Sequence, residues 1–421
     1  MLRQRGRVGL MAAALVGLMV GGAQAQVTIE RSASILVFPK VISDGTRDTI
    51  IQITNTSNSM VHAHCFYVNG ALTFTGPGSP PPGPLNPPLW TEVDFDIWLT
   101  KQQPTHWVVS KGRLENPADA PCTNGSTNPP TPPNFACDEA GLDPGRVPPV
   151  VEFFTGELKC IEVDQSGMPV SGNHLKGEAT VVTLDNCNLL TGRCVITGET
   201  CVTQDDCEDD LDVGKYNALG ILGNENNNGD NVLCLGGEPS ETCPNGAEYD
   251  ACPEFWYANH FAEFAPDPVD LEHDEVEEND SLVRTAWTVV PCTQNFETQD
   301  PTTVTIFIRT FNEYEQVFSS FLTVTCWNEL FLDDINPVTF DYTTLGTTFA
   351  VSELRSTQAT ASSFLMVGEE FHSVDTDVEP DGQDTFTSVA FVNYVVKGLR
   401  TGPDLITIPP EQISGGAAGA Q

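Results

Sequence analysis

Apolar and polar residues alternate most regularly between Thr303 and Trp327. Val304, Ile306 and Ile308 recur at every second position, and beyond a polar turn at Asn312–Gln316 so do Phe318, Leu322, Val324 and Cys326. A period of two puts the apolar residues of each arm on one face, so the stretch predicts a β-hairpin pressed against a core. Thr49–Val68 repeats the plan with an apolar strand, an Asn/Ser/Thr turn and a second strand carrying Cys65.

The same alternation elsewhere gives the domain plan. Ile35–Phe38, Thr49–Thr54, Met60–Val68, Val93–Leu99 and Trp107–Ser110 are strands at short spacing, with Asp44-Gly45 suited to a hairpin turn between the first two. They predict a first sandwich over 26–115. Gly76–Pro88 is too proline-rich to join a ladder and reads as an extended loop. Residues 116–149, rich in Pro and Asn, read as a linker. Strands resume at Val150–Val163 and Glu178–Leu184, then return from Leu282 through Phe386–Val396. This predicts a second sandwich over 150–410, interrupted by a Cys-rich acidic insertion at 185–280 and followed by a flexible tail at 411–421. No amphipathic helix of ten or more residues stands out. The expected fold is all-β: two antiparallel, immunoglobulin-like β-sandwich domains.

Composition adds a compartment. Arg3, Arg5 and Arg7, the apolar run Val8–Val20 and the small-residue site Ala23-Gln24-Ala25 read as a signal peptide over 1–25. The expected location is outside the cytoplasm: extracellular, cell-surface or periplasmic. All 13 cysteines follow that segment, which points to disulfides, and the odd number leaves a thiol for a homo-oligomeric link. A formal charge of −39 opposes nucleic acid and anionic lipid, and no later apolar run is long enough to span a membrane.

Three constellations carry candidate chemistry. Asp375, Asp377, Glu379, Asp381 and Asp384, with Gly382, follow the front half of a calcium loop, although Ser388 stands where its last carboxylate belongs; Pro380-Asp381-Gly382 also suits a hairpin turn. Calcium is the one cofactor the sequence suggests. His62 and His64 share a strand face, a partial transition-metal site for which His106 is the nearest further ligand by sequence; two solvent-facing histidines are the alternative. Cys187, Cys194, Cys201 and Cys207 lack zinc-knuckle spacing and suit disulfides, with Cys234, Cys243 and Cys252 extending the unit and Cys122 and Cys137 forming a local bridge in the linker. Nucleophile-elbow, zincin, P-loop and dinucleotide motifs are absent from the sequence.

Gly192, Cys194, Thr197, Gly198, Cys201, Asp206 and Cys207 resemble short Cys-rich inserts of secreted proteins from environmental bacteria, which imply no activity. The Thr/Asn-rich strand and turn at Asp48–Ser59 resembles the Ig-like modules of bacterial surface and secreted proteins. That resemblance implies a rigid frame with binding loops, hence a structural or adhesive protein that engages other surface proteins or glycans. Phe38, Tyr67, Trp98, Trp107, Trp287 and Trp327 would then be core anchors. Two rival readings stay open. A carbohydrate-binding or carbohydrate-active protein would use Trp90 or Trp256-Tyr257, and a periplasmic metal binder would use His62 and His64.

Overall fold

The computed structural model describes residues 27–74, 85–113, 144–183, 187–188, 193–194, 202, 212–224, 233–236, 244, 246–253, 255–266, 282–292, 302–357, 363–373 and 391–393. The first part of the chain supplies β1 (Val27–Thr28), β2 (Ile35–Ser43), β3 (Arg47–Asn55), β4 (Val61–Asn69), β5 (Thr91–Leu99), β6 (Pro104–Val108), β7 (Phe154–Val163), β8 (Leu175–Thr183), β9 (Cys187–Asn188), β10 (Arg193–Cys194), β11 (Asp212–Asn217) and β12 (Leu219–Ile221). The second part supplies β13 (Phe255–Phe261), β14 (Ala265–Pro266), β15 (Leu282–Pro291), β16 (Thr303–Asn312), β17 (Val317–Thr325), β18 (Asn328–Phe331), the single turns α1 (Leu332–Ile335) and α2 (Tyr342–Leu345), β19 (Phe349–Ser356), β20 (Phe364–Ser373) and β21 (Phe391–Asn393).

Four sheets pair off. The order β1-β12-β2-β7-β4-β5 faces β11-β8-β3-β6 across a core that includes Phe38, Ile51, Tyr67, Trp107 and Leu158. The order β13-β19-β16-β17 faces β14-β15-β20-β21, with β18 beside β15, across Trp256, Trp287, Ile306, Val324 and Phe364. Ladder pairing is antiparallel throughout these sheets, so the all-β expectation holds.

The predicted hairpin forms: β16 and β17 pair without a register shift from Thr303↔Thr325 to Phe311↔Val317. Asn312 closes its turn, its side-chain oxygen accepting from the backbone N–H of Tyr314 and Gln316. The Thr49–Val68 pair differs. β3 lies beside β6 and β8, whereas β4 lies beside β5 and β7 in the opposing sheet. The polar link between them is therefore a corner that crosses the core. Asn55 holds it, its side-chain N–H group donating to the carbonyls of Ser59, Leu99 and Thr100. The Asp44-Gly45 turn likewise carries the chain from one sheet to the other, since β2 pairs with β7 and β12 and not with β3.

Pairing also redraws the domain plan. β7 inserts between β2 and β4, and β8 lies beside β3, so strands grouped by spacing with the second sandwich complete the first. β11 and β12, inside the expected insertion at 185–280, join the first sandwich as well, while β13 joins the second. Spacing along the chain reports where strands are; it carries no record of which distant strand each one meets. Cys65 and Cys160 face each other in the β4–β7 ladder and form a disulfide across this long connection.

The core of the second sandwich extends onto the outer face of the first, taking in Phe66, Val68 and Ile161. Every residue of β2 is buried, because Leu36 and Phe38 face the first core while Ile35 and Val37 pack into the second. A strand covered on both faces loses the alternation that an outer strand keeps. The six residues Phe38, Tyr67, Trp98, Trp107, Trp287 and Trp327 are all buried.

Candidate functional site

β4 and β5 bring the two predicted histidines together with acids from the neighbouring strand. His62 stands opposite Trp98 and His64 opposite Asp96, so all four share a face, while Val61, Ala63 and Cys65 point into the core. One carboxylate oxygen of Asp96 meets His62 Nε2 at 2.7 Å and His64 Nδ1 at 2.9 Å. His62 stacks on Trp98 with ring centroids 3.7 Å apart, and its Nδ1 lies 3.0 Å from the carbonyl of Asp164. Both nitrogens of His62 thus face acceptors, and both bonds form together only when the ring carries two protons. Asp94 extends the acid row along β5, with its carboxylate 3.8 Å from His64.

The electrostatics follow from this geometry. The hydrogen bond to Asp96 raises the His64 imidazole against the opposing effect of burial. For Asp96, burial pushes up and is outweighed by the bonds from His62 and His64, which hold the carboxyl well below the usual range. The imidazoles and the carboxylate converge on one another, not on a shared vacant point. Among the described residues no group of three or more His, Cys, Asp or Glu side chains is arranged to hold a metal ion. His106 lies on β6 in the other sheet, where it is exposed beside inward-pointing Trp107, so the core separates it from His62 and His64.

The other candidates fall as follows. Asp375, Asp377, Glu379, Asp381 and Asp384 lie outside the described residues, as do Cys122, Cys137, Cys201, Cys207 and Cys243. β9 and β10 set Cys194 opposite Cys187 in a short antiparallel ladder. Cys234 is disulfide-bonded. Cys252 pairs with Cys292, beyond the predicted insertion, and so ties that segment to the second sandwich. Cys326 is the free thiol among the described residues; it is 4 % exposed, and burial pushes it up to about 11. A bridge to another chain through Cys326 would require that part of the core to open. Trp256, a predicted glycan-facing residue, is in the core, with its indole N–H donating to the carbonyl of Phe364.

The densest polar site joins the sandwiches, and spacing did not point to it. β2 is irregular between Phe38 and Val41, and this bulge re-aims Pro39 and Lys40. The carbonyl of Pro39 accepts the indole N–H of Trp327 at 2.7 Å. Gly70 lies flat against the same indole, where an added Cβ would stand 2.7 Å from the ring. Lys40 is 2 % exposed, with its ammonium 2.5 Å from Glu329 of β18 and paired also with Glu369 of β20. Arg47 links Glu329 to Asp44 at 3.3 and 2.8 Å. Burial lowers Lys40 to about 8 despite the attraction of Glu329. Burial would raise Glu329, but Lys40 and Arg47 dominate and bring it to about 2. A lysine within the apolar run Ile35–Ile42 was the available sequence signal, because a buried cation requires an acid partner.

Compared with protein families, curated proteins and solved structures, the chain matches none.

Proposed function

We propose that the chain is an exported, disulfide-stapled structural or adhesive protein of Ig-like sandwich kind, working as a rigid two-sandwich body. The buried junction carries this reading. Trp327 and Pro39, together with the network of Lys40, Glu329, Glu369 and Arg47, fix one sandwich against the other where a hinge would otherwise lie. A fixed angle between modules suits a spacer or scaffold, whose loops then present the binding groups. The disulfides Cys65–Cys160 and Cys252–Cys292 and the absence, among the described residues, of any helix able to cross a membrane accord with an extracellular setting. Calcium at Asp375, Asp377, Glu379, Asp381 and Asp384 belongs to the proposal on sequence grounds.

The test is fractionation of cells expressing the full chain beside a version lacking residues 1–25, followed by assay of the exported product on a glycan panel. Recovery of a shortened, oxidised chain outside the cytoplasm, without turnover of any glycan, supports the reading. Retention of the full chain in the cytoplasm, or turnover of a glycan, contradicts it.

A further inference from the structure

β17 is an outer strand, with no strand paired along its far edge among the described residues. Two hydrogen bonds at the ends of the hairpin, Asn312 N–H to Gln316 O and Cys326 N–H to Thr302 O, fix the phase of its ladder. Because bonded and non-bonded pairs alternate along an antiparallel ladder, the even-numbered residues of β17 exchange bonds with β16. The backbone N–H and C=O groups of Val317, Ser319, Phe321, Thr323 and Thr325 therefore point away from the sheet. Among the described residues, only the Thr325 carbonyl of these groups has a backbone partner, the N–H of Trp327.

Edges of this kind are ordinarily protected by charge, proline or a bulge. β5 carries Glu92, Asp94 and Asp96, and β6 is short and begins with Pro104. β17, in contrast, reads VFSSFLTVT over nine residues with no charge, no proline and no register shift. In a chain of formal charge −39 an uncharged edge is a place where two copies approach with little local repulsion. Its outer face sets two exposed apolar side chains among the uncharged hydroxyls of Ser319, Thr323 and Thr325: Val317 is 57 % and Phe321 63 % exposed, and Phe321 packs on Phe307 with centroids 5.0 Å apart.

We propose that β17 pairs antiparallel with β17 of a second copy about a two-fold axis at Phe321. Phe321 is the middle residue of the strand. The axis then sets Phe321 against its equivalent, Ser319 against Thr323, and Val317 against Thr325, each pair meeting through outward backbone groups. About eight N–H···O=C bonds become available, two for each facing pair less the two that would need the Thr325 carbonyls, which already accept from Trp327. The sheet β13-β19-β16-β17 continues into its copy, and the Phe307–Phe321 contact extends into a row of four rings. Antiparallel pairing also keeps the acidic turns bearing Glu313 and Glu315 at opposite ends of the joined strands, where a parallel arrangement would stack them. One strand and its flanking side chains bury less than the roughly 1,200 Å² of a standard interface, so the dimer is a reversible, concentration-dependent one.

Sedimentation equilibrium of the oxidised chain over a range of concentrations tests the pairing. Wild type forms dimers as concentration rises. Phe321→Lys and Phe321→Glu, each placing like charges across the axis, weaken dimerisation by about tenfold or more. An equimolar mixture of the two variants recovers it, because Lys and Glu then face each other. Thr323→Pro removes an outward N–H without taking a bond from the β16 ladder, and weakens the dimer while circular dichroism and melting stay like wild type. A wild type that remains monomeric overturns the proposal. So does a dimer indifferent to Phe321→Lys, or a mixture that fails to recover pairing. Binding of an unrelated extended peptide to a monomeric wild type would mean that the edge serves a different strand, and would overturn self-pairing too.

Discussion

Trp327 gives its indole N–H to the carbonyl of Pro39 at 2.7 Å, across 288 residues of sequence. The bond closes the bulge of β2 onto the segment that follows β17, and Lys40, the next residue after Pro39, enters the acids of β18 and β20. The joint between the sandwiches thus consists of one apolar cluster that spans both and one buried polar network.

Trp327→Phe should keep most of the packing and leave the Pro39 carbonyl buried without its donor, a loss of about 1–3 kcal/mol. Trp327→Ala should cost about 3–5 kcal/mol, since a cavity adds to the lost bond. Urea denaturation followed by tryptophan fluorescence measures both. Gly70→Ala, which would drive a methyl into the indole, should behave more like the second variant than the first.

Removing one partner of the buried network should be more damaging than removing a surface pair. Lys40→Met removes the buried cation that Glu369 and Glu329 share, leaving Glu329 to Arg47, and should lose about 3–5 kcal/mol. The pH dependence follows from the direction of each shift. Glu329 is lowered to about 2, so its contribution is present above the ordinary glutamate range and is lost as pH falls toward 2. Lys40 is lowered to about 8, so stability rises from pH 8 toward the ordinary lysine value, because the unfolded chain binds the extra proton there. Glu329→Gln should flatten the acid limb in a series of melts across pH.

The cluster on β4 and β5 gives a second signature. His64 is raised, so its contribution is complete below about pH 6.5 and is lost as pH climbs through its folded value. Asp96 is lowered, so its contribution is complete above about pH 3.9 and is lost on acidification. Melting temperature should therefore carry a maximum from this pair between those limits, and Asp96→Asn should remove it. Calorimetric titration with zinc or copper of wild type against a His62→Ala, His64→Ala double variant tests the metal reading at the same residues.

Replacing Cys65 and Cys160 together by Ala should cost about 2–5 kcal/mol, since the bridge closes a loop of 95 residues' separation. Thermal melts of the variant and of reduced wild type should shift down together, the reduced protein by at least as much because Cys252–Cys292 opens as well.

The sequence was informative where the physics is local. Val304, Ile306 and Ile308 advertise a half-buried strand, and Asn312 its turn, because both depend on neighbours a few residues away. His62 and His64 were placed on a common face for the same reason. What local spacing cannot carry is the partner across space. Asn55–Ser59 and Asp44–Gly45 have the composition of hairpin turns, yet each takes the chain to the opposite sheet. β7 reaches β2 and β4 from beyond a long polar segment, so its membership in the first sandwich was not legible. Asp96 and Trp98 could have been paired with the histidines from the alternation Glu92, Asp94, Asp96, Trp98, but only once β5 was known to be the neighbour of β4. Lys40 stood out in its apolar run, while its partners Glu329 and Glu369 were two among 58 acids.

Hydrogen exchange in moderate urea tests the rigid junction most directly, by following amides of β3 and β8 in the first sandwich and of β16 and β19 in the second. The account predicts that both sets open together in wild type, with one shared dependence on urea, and separate into two in Trp327→Ala. Independent opening of the two sets in wild type would contradict it.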